Sequence, residues 1–498
     1  MDSQISPSDK KTTLSIQHIL RLHDSRAMTL KALYLLLVSG ALYILFSRWA
    51  YDDPFITFRY AQNLRQGLGF VYNPGEQVQS TTTPLFAILL AVLSYLWDDL
   101  PQLAVFIGCV SLAFSGLVLW QLAKLWKTPR AGWAGLVLYP TFSMVLATLG
   151  SETPLYLALC LGAWVGYESK KYLLTSVCLA LAVLTRSDAL VVVGILAIDY
   201  LVNVRSAIPW SALLLFFALT APWLIFSSTY FGSWVPATLF AKQQQAIMSG
   251  ENYSFVSGFI LQLQNFSALY QYWLEGLLGL GGVLFVAIHF RRALVFLLWA
   301  PLYFLAYANL GVTRYFWYYA PLAPAFIAAV GLGLTALGSK FFAKVALGFT
   351  VGLMFLLSFA QLNDLVKLSQ NPDTRIAIYH DIGQWLQSNT LSDASVGALE
   401  VGMIGYYAQR RMIDFAGLLQ PDIAMQLKPN ATYEDAALWA VDHYHPDYLV
   451  LYDKTMPRLE QDYVTQHCVP VQHYSKEDYQ FWASLSIYAC SPTSRNTN

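Results

Sequence analysis

Two adjacent carboxylates, Asp52 and Asp53, follow the first long apolar segment of the chain. Like charges side by side raise each other's pKa, and a carboxylate near a membrane boundary is costly to desolvate. Such a pair suits general-base chemistry or ion binding. The structural alternative is a helix start, where an aspartate stabilises the unpaired N–H groups of the first turn. The residues alone leave both interpretations open.

The composition indicates an integral membrane protein. The chain has 498 residues, of which 56% are hydrophobic and 12% are charged, whereas a soluble domain carries about 25% charged residues. Thirty basic and thirty acidic residues give a formal net charge of zero. Because there is no basic surplus to neutralise phosphates, the balance argues against nucleic acid as a partner. The partner that the composition implies is the lipid bilayer.

The apolar runs predict a polytopic α-helical protein with eleven membrane spans. Segment 84–97 is also apolar, but a run of about 10–14 residues is typical of an interfacial or re-entrant segment rather than of a span. The predicted spans are 32–47, 103–123, 131–149, 155–167, 172–184, 189–204, 208–227, 269–290, 293–307, 321–337 and 345–359.

Basic residues in the short loops set the predicted orientation. If segment 84–97 lies at the interface, all of these loops are on the cytoplasmic side. If it crosses the membrane, all of them are on the extracytoplasmic side. The positive-inside rule therefore favours the interfacial segment, a cytoplasmic N-terminus and an extracytoplasmic C-terminal region. The basic residues concerned are Lys124, Lys127, Arg130, Lys170, Lys171, Arg205, Arg291, Arg292, Lys340 and Lys344.

Three parts follow from this topology. We expect a cytoplasmic tail at 1–30, a transmembrane domain at 31–362 with its first outer loop at 48–102, and a small extracytoplasmic α/β domain at 363–498. In the last part, 376–388 has helical spacing, and 395–398, 448–451 and 482–489 are predicted strands. Cys468 and Cys490 lie in this region, where a disulfide and two unpaired thiols are both open alternatives.

The same topology gathers unusual polar side chains on the outer face, beside Asp52 and Asp53. A mixture of carboxylates and cations on one face suits a phosphorylated lipid substrate, although any polar outer surface shows one as well. The further residues are Arg59, Glu152, Arg186, Asp188, Lys242 and Arg314.

Several outer segments, taken in their order along the chain, carry a resemblance to a known family. They resemble the outer loops of GT-C glycosyltransferases, integral membrane enzymes that use polyprenyl-phosphate sugars. The bacterial group with the mycobacterial terminal arabinofuranosyltransferases is the most similar, and the protein O-mannosyltransferases and the aminoarabinose transferase acting on lipid A are more distant. The resemblance covers most of the chain. Its segments are Asp52-Asp53-Pro54-Phe55-Ile56-Thr57-Phe58-Arg59-Tyr60-Ala61, Gly150-Ser151-Glu152-Thr153-Pro154-Leu155, Leu184-Thr185-Arg186-Ser187-Asp188, Tyr230-Phe231-Gly232-Ser233-Trp234-Val235-Pro236 and Arg314-Tyr315.

The resemblance implies an inverting transfer of a sugar from a polyprenyl-phosphate donor to an acceptor hydroxyl on an envelope glycan, glycolipid or protein. It also implies a multi-pass protein of the bacterial plasma membrane. Asp52 is expected to be the general base, with Asp53 orienting the acceptor or sharing that role. The expected phosphate-binding cations are Arg314 and Arg59, followed by Lys242 and Arg186. The expected substrate-binding residues are Glu152, Asp188 and Tyr315.

Each of these residues also has a structural alternative. Lys242 is expected to face lipid headgroups, and Arg59 could be a structural or solvated charge. Glu152 could cap the helix that follows it. Arg186 and Asp188 could form a mutual ion pair, and the aromatic run 315–319 could form an interfacial belt. Ser187 and Ala237 stand where the family pattern has Pro and Asn. These departures weaken any inference about which substrate is used, but they leave the carboxylates in place.

No cofactor is firmly implied, and dependence on a divalent metal stays open. Asp442, His443, His445 and Asp447 are of metal-binding types, but their spacing matches no strong signature and favours a solvated helix end. Two other functions compete with transfer. One is a secondary transporter that binds a coupling ion at Asp52 and Asp53, although no inverted hydropathy repeat is present. The other is a non-catalytic envelope assembly protein.

Overall fold

The computed structural model describes residues 7–248, 254–267, 269–337 and 343–490. Residues 1–6 of the predicted tail and Lys340 lie outside these ranges. The helices before residue 371 are α1 (Pro7–Phe46), α2 (Pro54–Arg65), α3 (Pro84–Leu93), α4 (Leu100–Leu125), α5 (Pro129–Val137), α6 (Ser143–Leu146), α7 (Thr153–Glu168), α8 (Tyr172–Thr185), α9 (Leu190–Asp199), α10 (Trp210–Tyr230), α11 (Ala237–Ile247), α12 (Phe255–Ser267), α13 (Tyr270–His289), α14 (Arg291–Leu297), α15 (Trp299–Leu310), α16 (Ala323–Leu337) and α17 (Ala343–Gln370).

Eight stretches of the described residues are long and apolar enough to cross a membrane, which confirms the polytopic helical class. They are Arg26–Phe46, Leu100–Leu125, Ser187–Val204, Trp210–Tyr230, Tyr270–His289, Arg292–Leu310, Phe316–Leu337 and Leu347–Asn389. The predicted count of eleven is too high by this measure. Segment 131–149 is broken between α5 and α6, and α7 and α8, with 16 and 14 residues, fall below the roughly 20 residues that a straight span needs.

The short helix α3 covers the apolar segment that was predicted to lie at the interface. With 10 residues it extends about 15 Å, which is too short to cross a bilayer. Within the bundle, Gly282 on α13 and Gly333 on α16 face the backbone of the opposite helix with no room for a Cβ atom. Small residues at such crossings let membrane helices approach closely.

The C-terminal domain, residues 371–490, is a mixed α/β unit. Its strands are β1 (Ser395–Ala398), β2 (Arg411–Asp414), β3 (Tyr448–Tyr452), β4 (Cys468–Tyr474) and β5 (Leu485–Cys490), and its helices are α18 (Arg375–Asn389), α19 (Met403–Ala408), α20 (Pro421–Ala424), α21 (Tyr433–Tyr444), α22 (Pro457–Leu459), α23 (Thr465–His467) and α24 (Lys476–Tyr479). The strand order is β2-β1-β3-β5-β4, with β1 parallel to both β2 and β3. Strand β5 runs antiparallel to β3 and β4.

The sequence pattern explains this sheet in part. Strand β1 is buried along its whole length, as expected of a strand inside a parallel array. Helix α18 buries Ile378, Ile382 and Leu386 completely. Cys468 and Cys490 form a disulfide, which is one of the two alternatives left open by the sequence. The bond joins directly paired residues of β4 and β5.

The first outer loop is docked onto this domain. The Asn73 side chain pairs with the backbone of Met412 in β2, donating through Nδ2 to the carbonyl oxygen and accepting the N–H through Oδ1, both at 2.9 Å. Arg411, at the start of the same strand, forms an ion pair with Glu76 at 2.6 Å. These contacts bring the loop that begins at Asp52 against the C-terminal domain.

Candidate active site

Asp52 lies at the seam between the first outer loop and the C-terminal domain. It is buried, with Oδ2 accepting a hydrogen bond from the N–H of Gly402 at 3.0 Å and Oδ1 accepting one from Met403 at 2.8 Å. Gly402 is the N-cap residue of α19, so the carboxylate satisfies two N–H groups that the first turn leaves without partners. A Cβ atom on Gly402 would collide with Asp52. The aspartate therefore caps a helix, but one from the other domain.

Burial raises the pKa of Asp52 to about 6, while the hydrogen bond from Met403 and the charge of Arg375 act in the opposite direction. A carboxylate in this range is ionised at neutral pH and still basic enough to accept a proton. Its two hydrogen bonds fix the orientation of the group, and each carboxylate oxygen retains acceptor capacity. The arrangement is compatible with general-base chemistry.

Asp53 is the more accessible of the two, with 34% of its side chain exposed. It occupies the N-cap position of α2 but makes no capping bond with its side chain. Instead, Oδ1 lies 3.4 Å from the Nζ atom of Lys242 on α11. Lys242 is buried, so the expectation that it faces lipid headgroups is wrong. Its charge is compensated by Asp53 within the protein.

An aromatic wall surrounds the Lys242 ammonium group. Nζ lies 4.9 Å from the ring centroid of Tyr315, 5.4 Å from that of Trp317 and 5.7 Å from that of Tyr318. Burial by itself lowers the pKa of Lys242, but Asp53 and Tyr318 raise it by more, so the ammonium group stays charged. Trp317 and Tyr318 are buried, which corrects the alternative of an interfacial belt. A cation enclosed by aromatic faces is suited to an anionic ligand group.

A second charged cluster joins Glu152, Arg186 and Asp188. Arg186 contacts Glu152 Oε1 at 2.8 Å and Asp188 Oδ2 at 2.9 Å. Tyr307 donates to Asp188 at 2.7 Å and accepts from Arg186 at 3.1 Å. All three guanidinium nitrogens are used in this way. The Arg186–Asp188 ion pair expected as the structural alternative is present, and Glu152 caps no helix with its side chain. A phosphate contact by Arg186 stays a prediction.

Tyr51 links this charged cluster to the Asp53 site. Its ring stacks on Trp317 with a centroid separation of 5.4 Å. Burial raises the pKa of Tyr51, and the nearby charges of Glu152 and Asp53 raise it further. Both clusters are therefore within electrostatic range of one side chain.

The two remaining predicted cations lie elsewhere. Arg59 on α2 is 3% exposed, and its single hydrogen bond among those of the described residues is a long one of 3.4 Å to Gln62. Burial lowers its pKa, and two of the other groups that affect it, Arg410 and Tyr406, belong to the C-terminal domain. Arg314 is half-buried and packs against Gly258 of α12. Their phosphate contacts stay predictions. Tyr315, by contrast, stands beside Lys242 and donates to Gln245 at 3.1 Å.

Glu400 is a member of the site that the sequence analysis did not identify. Burial, followed by the charge of Asp52, raises the pKa of its carboxyl to about 8. It lies on the wall of a cavity of about 670 Å³ in the C-terminal domain. One signal was available in the sequence, since Glu400 follows the predicted buried strand β1, and side chains after the ends of parallel strands commonly line sites.

The predicted metal-type residues 442–447 have other partners. Asp447 accepts hydrogen bonds from the N–H and hydroxyl of Ser395, both at 2.8 Å, and His443 stacks on Trp439. In the parts of the chain that the structure describes, no group of three or more acidic, histidine or cysteine side chains is arranged to hold a metal ion.

The fold is that of a GT-C-like membrane protein. The crystal structure of ArnT from Cupriavidus metallidurans bound to undecaprenyl phosphate is similar with a TM-score of 0.54 and 14% identity, over 92% of this chain and 97% of that chain. The apo state of that protein gives a TM-score of 0.56, also at 14% identity, over 93% and 98%. The cryo-EM structure of the arabinofuranosyltransferase AftD from Mycobacteria gives 0.50 at 14% identity, over 92% of this chain and 41% of that chain.

The sequence comparisons are less extensive. Residues 369–496 match DUF8728, a family described as a domain of unknown function, and this range covers the C-terminal domain. No curated protein matches the sequence. The polytopic GT-C-like fold expected from the outer segments is thus confirmed through three-dimensional similarity at low identity.

Proposed function

We propose that the protein is a membrane glycosyltransferase that moves a sugar from a polyprenyl-phosphate donor to an acceptor hydroxyl with inversion. The observation that carries the proposal is the position of Asp52. It directly precedes Asp53, the partner of Lys242, and it accepts a hydrogen bond from the N–H of Gly402, two residues after Glu400 on the cavity wall. The GT-C-like fold supports the class, and ArnT bound to undecaprenyl phosphate supports the donor.

The reaction needs one base. The acceptor oxygen attacks the anomeric carbon while Asp52 takes its proton, and the bond from that carbon to the phosphate oxygen breaks with its electron pair leaving on the phosphate. Because the leaving group is already good, no general acid is required. Attack opposite the leaving group inverts the anomeric centre. The two backbone N–H groups on Asp52 hold the base in position.

Lys242 is the cation that the geometry favours for the donor phosphate. The phosphate gains negative charge as the sugar leaves, and a preorganised ammonium group in a water-poor site stabilises that charge. Asp53 would hold the ammonium group when no donor is bound. Glu152, Asp188 and Tyr315 remain proposed substrate-binding residues, of which Tyr315 directly adjoins Lys242.

The proposal also includes the acceptor substrate and the orientation of the protein in the membrane. We place the C-terminal domain outside a bacterial plasma membrane, with the acceptor hydroxyl on an envelope glycan, glycolipid or protein. The basic residues of the short loops support this orientation.

The test uses the full-length protein in nanodiscs with a panel of polyprenyl phosphates, each carrying a different radiolabelled sugar, and an envelope extract as the source of acceptor. We expect one donor to lose its label to the acceptor fraction, with an inverted linkage. Absence of transfer from every donor, by protein whose thermal unfolding shows it to be folded, would contradict the proposal.

A further inference from the structure

The cavity in the C-terminal domain has the size of a small-molecule site. Its volume of about 670 Å³ falls within the range of roughly 300–1,000 Å³ that is typical of ligand pockets. It is lined by residues between Asp373 and Trp482, all within the C-terminal domain. It is therefore distinct in composition from the Lys242 site, which is built from α2, α11 and the aromatic run 315–318.

The topology of the sheet explains why a cavity lies here. Strand β1 is flanked by parallel strands on both sides, with β2 on one side and β3 on the other, so the chain order reverses between β1 and β3. In open α/β sheets, ligands bind beyond the carboxyl ends of the strands at such a reversal. Glu400 follows the end of β1, and Tyr452 ends β3, and both line the cavity.

Aromatic rings form one wall. Trp482 is 64% exposed, and its ring is held by Tyr452 at 4.9 Å and Phe481 at 5.7 Å between centroids. An exposed tryptophan that is fixed by aromatic neighbours presents a flat apolar face together with a polar N–H group. The C–H face of a sugar ring is complementary to such a surface, while its hydroxyls remain free to bond to polar side chains.

The charged groups of the polar wall are compensated. Asp373 is bound to Arg375 at 2.6 Å, and Glu434 is bound to Arg458 at 3.0 Å. The third carboxyl of the wall, Glu400, has a raised pKa of about 8 and is protonated near neutral pH. Because no uncompensated charge is available to pair with a phosphate, a uronic acid or an amino group, the wall favours an uncharged sugar.

Glu400 connects the cavity to the reaction. Its hydrogen-bond contact within the cavity is with the Tyr452 hydroxyl at 3.5 Å. Burial and the charge of Asp52 raise its pKa to about 8, so near neutral pH it carries a proton that it can donate to a hydroxyl oxygen. Asp52 accepts hydrogen bonds from Gly402 and Met403, two and three residues after Glu400, so a ligand held at Glu400 is near the proposed base.

We propose that this cavity is the acceptor subsite and binds an uncharged sugar of the acceptor glycan, stacked on Trp482 and hydrogen-bonded to Glu400. The inference rests on the proposed function, and it separates the regions that bind the two substrates. The Lys242 end takes the donor phosphate, and the Trp482 end takes the acceptor sugar.

Direct binding tests this assignment without catalysis. The probes are labelled oligosaccharides of two to four sugars in neutral, amino and uronic-acid series, with free undecaprenyl phosphate as the anionic lipid probe, and the protein is the full chain in nanodiscs. We expect a neutral oligosaccharide to bind, and Trp482→Ala to weaken its binding about tenfold or more, which is the scale of a lost aromatic contact. Trp482→Phe should retain most of the affinity.

The controls separate a binding role from a folding effect. Met425→Ala removes another exposed apolar side chain of the same domain, which does not line the cavity, and should leave binding unchanged. Undecaprenyl phosphate should bind equally to the wild-type protein and to Trp482→Ala. Glu400→Ala, which removes the hydrogen-bonding group, should weaken oligosaccharide binding and leave undecaprenyl phosphate binding unaltered.

Several results would overturn the assignment. They are the absence of binding by any oligosaccharide, binding that Trp482→Ala does not change, and a preference for the amino or the uronic-acid series. Donor-dependent transfer with none of these sugars bound would contradict the subsite and leave the proposed function standing. Sugar binding through Trp482 without transfer from any donor would contradict the proposed function and support the cavity as a sugar site.

Discussion

Asp52 combines burial with two backbone hydrogen bonds, and its ionisation should govern activity at acidic pH. Its pKa in the folded protein is about 6, compared with an ordinary value of 3.8. Because a base must be unprotonated, we expect kcat/KM to fall about tenfold per pH unit below about pH 6. A pH–rate profile from pH 4 to 9 measures this limb, and a limb centred near 4 would contradict the assignment of Asp52 as the base.

The same pKa shift predicts how stability depends on pH. Since the pKa is raised in the folded state, the folded protein binds the proton more tightly than the unfolded chain does. The contribution of Asp52 to the free energy of unfolding is therefore present at low pH and is lost as the pH rises through about 6. Asp52→Asn should remove that dependence, and thermal unfolding at pH 4.5 and 7 of the two proteins compares them.

Lys242 should matter through its charge rather than its bulk. Lys242→Met keeps the length of the stem among Tyr315, Trp317 and Tyr318 but removes the ammonium group. We expect kcat/KM for the donor to fall roughly 10²-fold, the usual effect of removing one electrostatic contact to a transition state. Lys367→Met, an exposed cation on α17, is the matched control. Near wild-type turnover of Lys242→Met, measured with the same donor, would argue against a phosphate role.

At the scale of single residues, the sequence identifies candidates but not their partners. Asp53 and Lys242 are 189 positions apart, and only the packing of α11 against the first loop brings them together. The choice between catalytic and structural roles for Asp52 depends on Gly402, which belongs to another domain. Glu400 has no local pattern of its own, and its significance comes from the end of β1 and the neighbouring cavity.

The first outer loop is docked on strand β2 through Asn73. Asn73 makes two hydrogen bonds to Met412, and Asn73→Ala leaves buried backbone groups without partners. We expect a loss of about 1–3 kcal/mol in the free energy of unfolding, and reduced activity because α2 carries Asp53. Asn371→Ala, on the exposed end of α17, is the control. Thermal unfolding and transfer assays measure both effects, and an unchanged melting temperature would contradict the docking role.

The disulfide is expected to stabilise the C-terminal domain. It links β4 to β5 across a separation of 22 residues, and these strands form one edge of the sheet. Replacing Cys468 and Cys490 together by serine should lower the stability of the domain by about 2–4 kcal/mol. Limited proteolysis with and without reductant detects this change. Equal protease resistance of the wild-type and double-variant proteins would show that the bond contributes little.

The helices and strands of the C-terminal domain were recognised from the sequence only where their apolar residues are buried. Helix α18 and strands β1 and β3 were predicted because their apolar residues are buried. Strand β4 was missed because most of its side chains are exposed, and it contains Pro470, which is tolerated on a sheet edge. Strand β2 has only four residues and follows a short helix, so its hydrophobic pattern is too brief to be recognised.

For the whole molecule, hydropathy predicted the class but not the number of full-length spans. An apolar run shows that a segment is removed from water, but not whether it faces lipid or other helices. Helix α7 is enclosed by other helices and is apolar, yet it is shorter than a full span. The resemblance of the outer segments to those of GT-C glycosyltransferases predicted the GT-C-like fold. The sidedness of the membrane stays a prediction that follows from the basic loops.

The most direct test of the central claim compares Asp52→Asn with Asp53→Asn in the transfer assay. We predict that Asp52→Asn lowers transfer by about 10²–10⁴-fold, the range for loss of a general base, while donor binding and folding persist. We predict a smaller loss of transfer for Asp53→Asn, because Lys242 loses the carboxylate that positions its ammonium group. Substantial transfer by folded Asp52→Asn, with transfer abolished in Asp53→Asn, would contradict the assignment of Asp52 as the base.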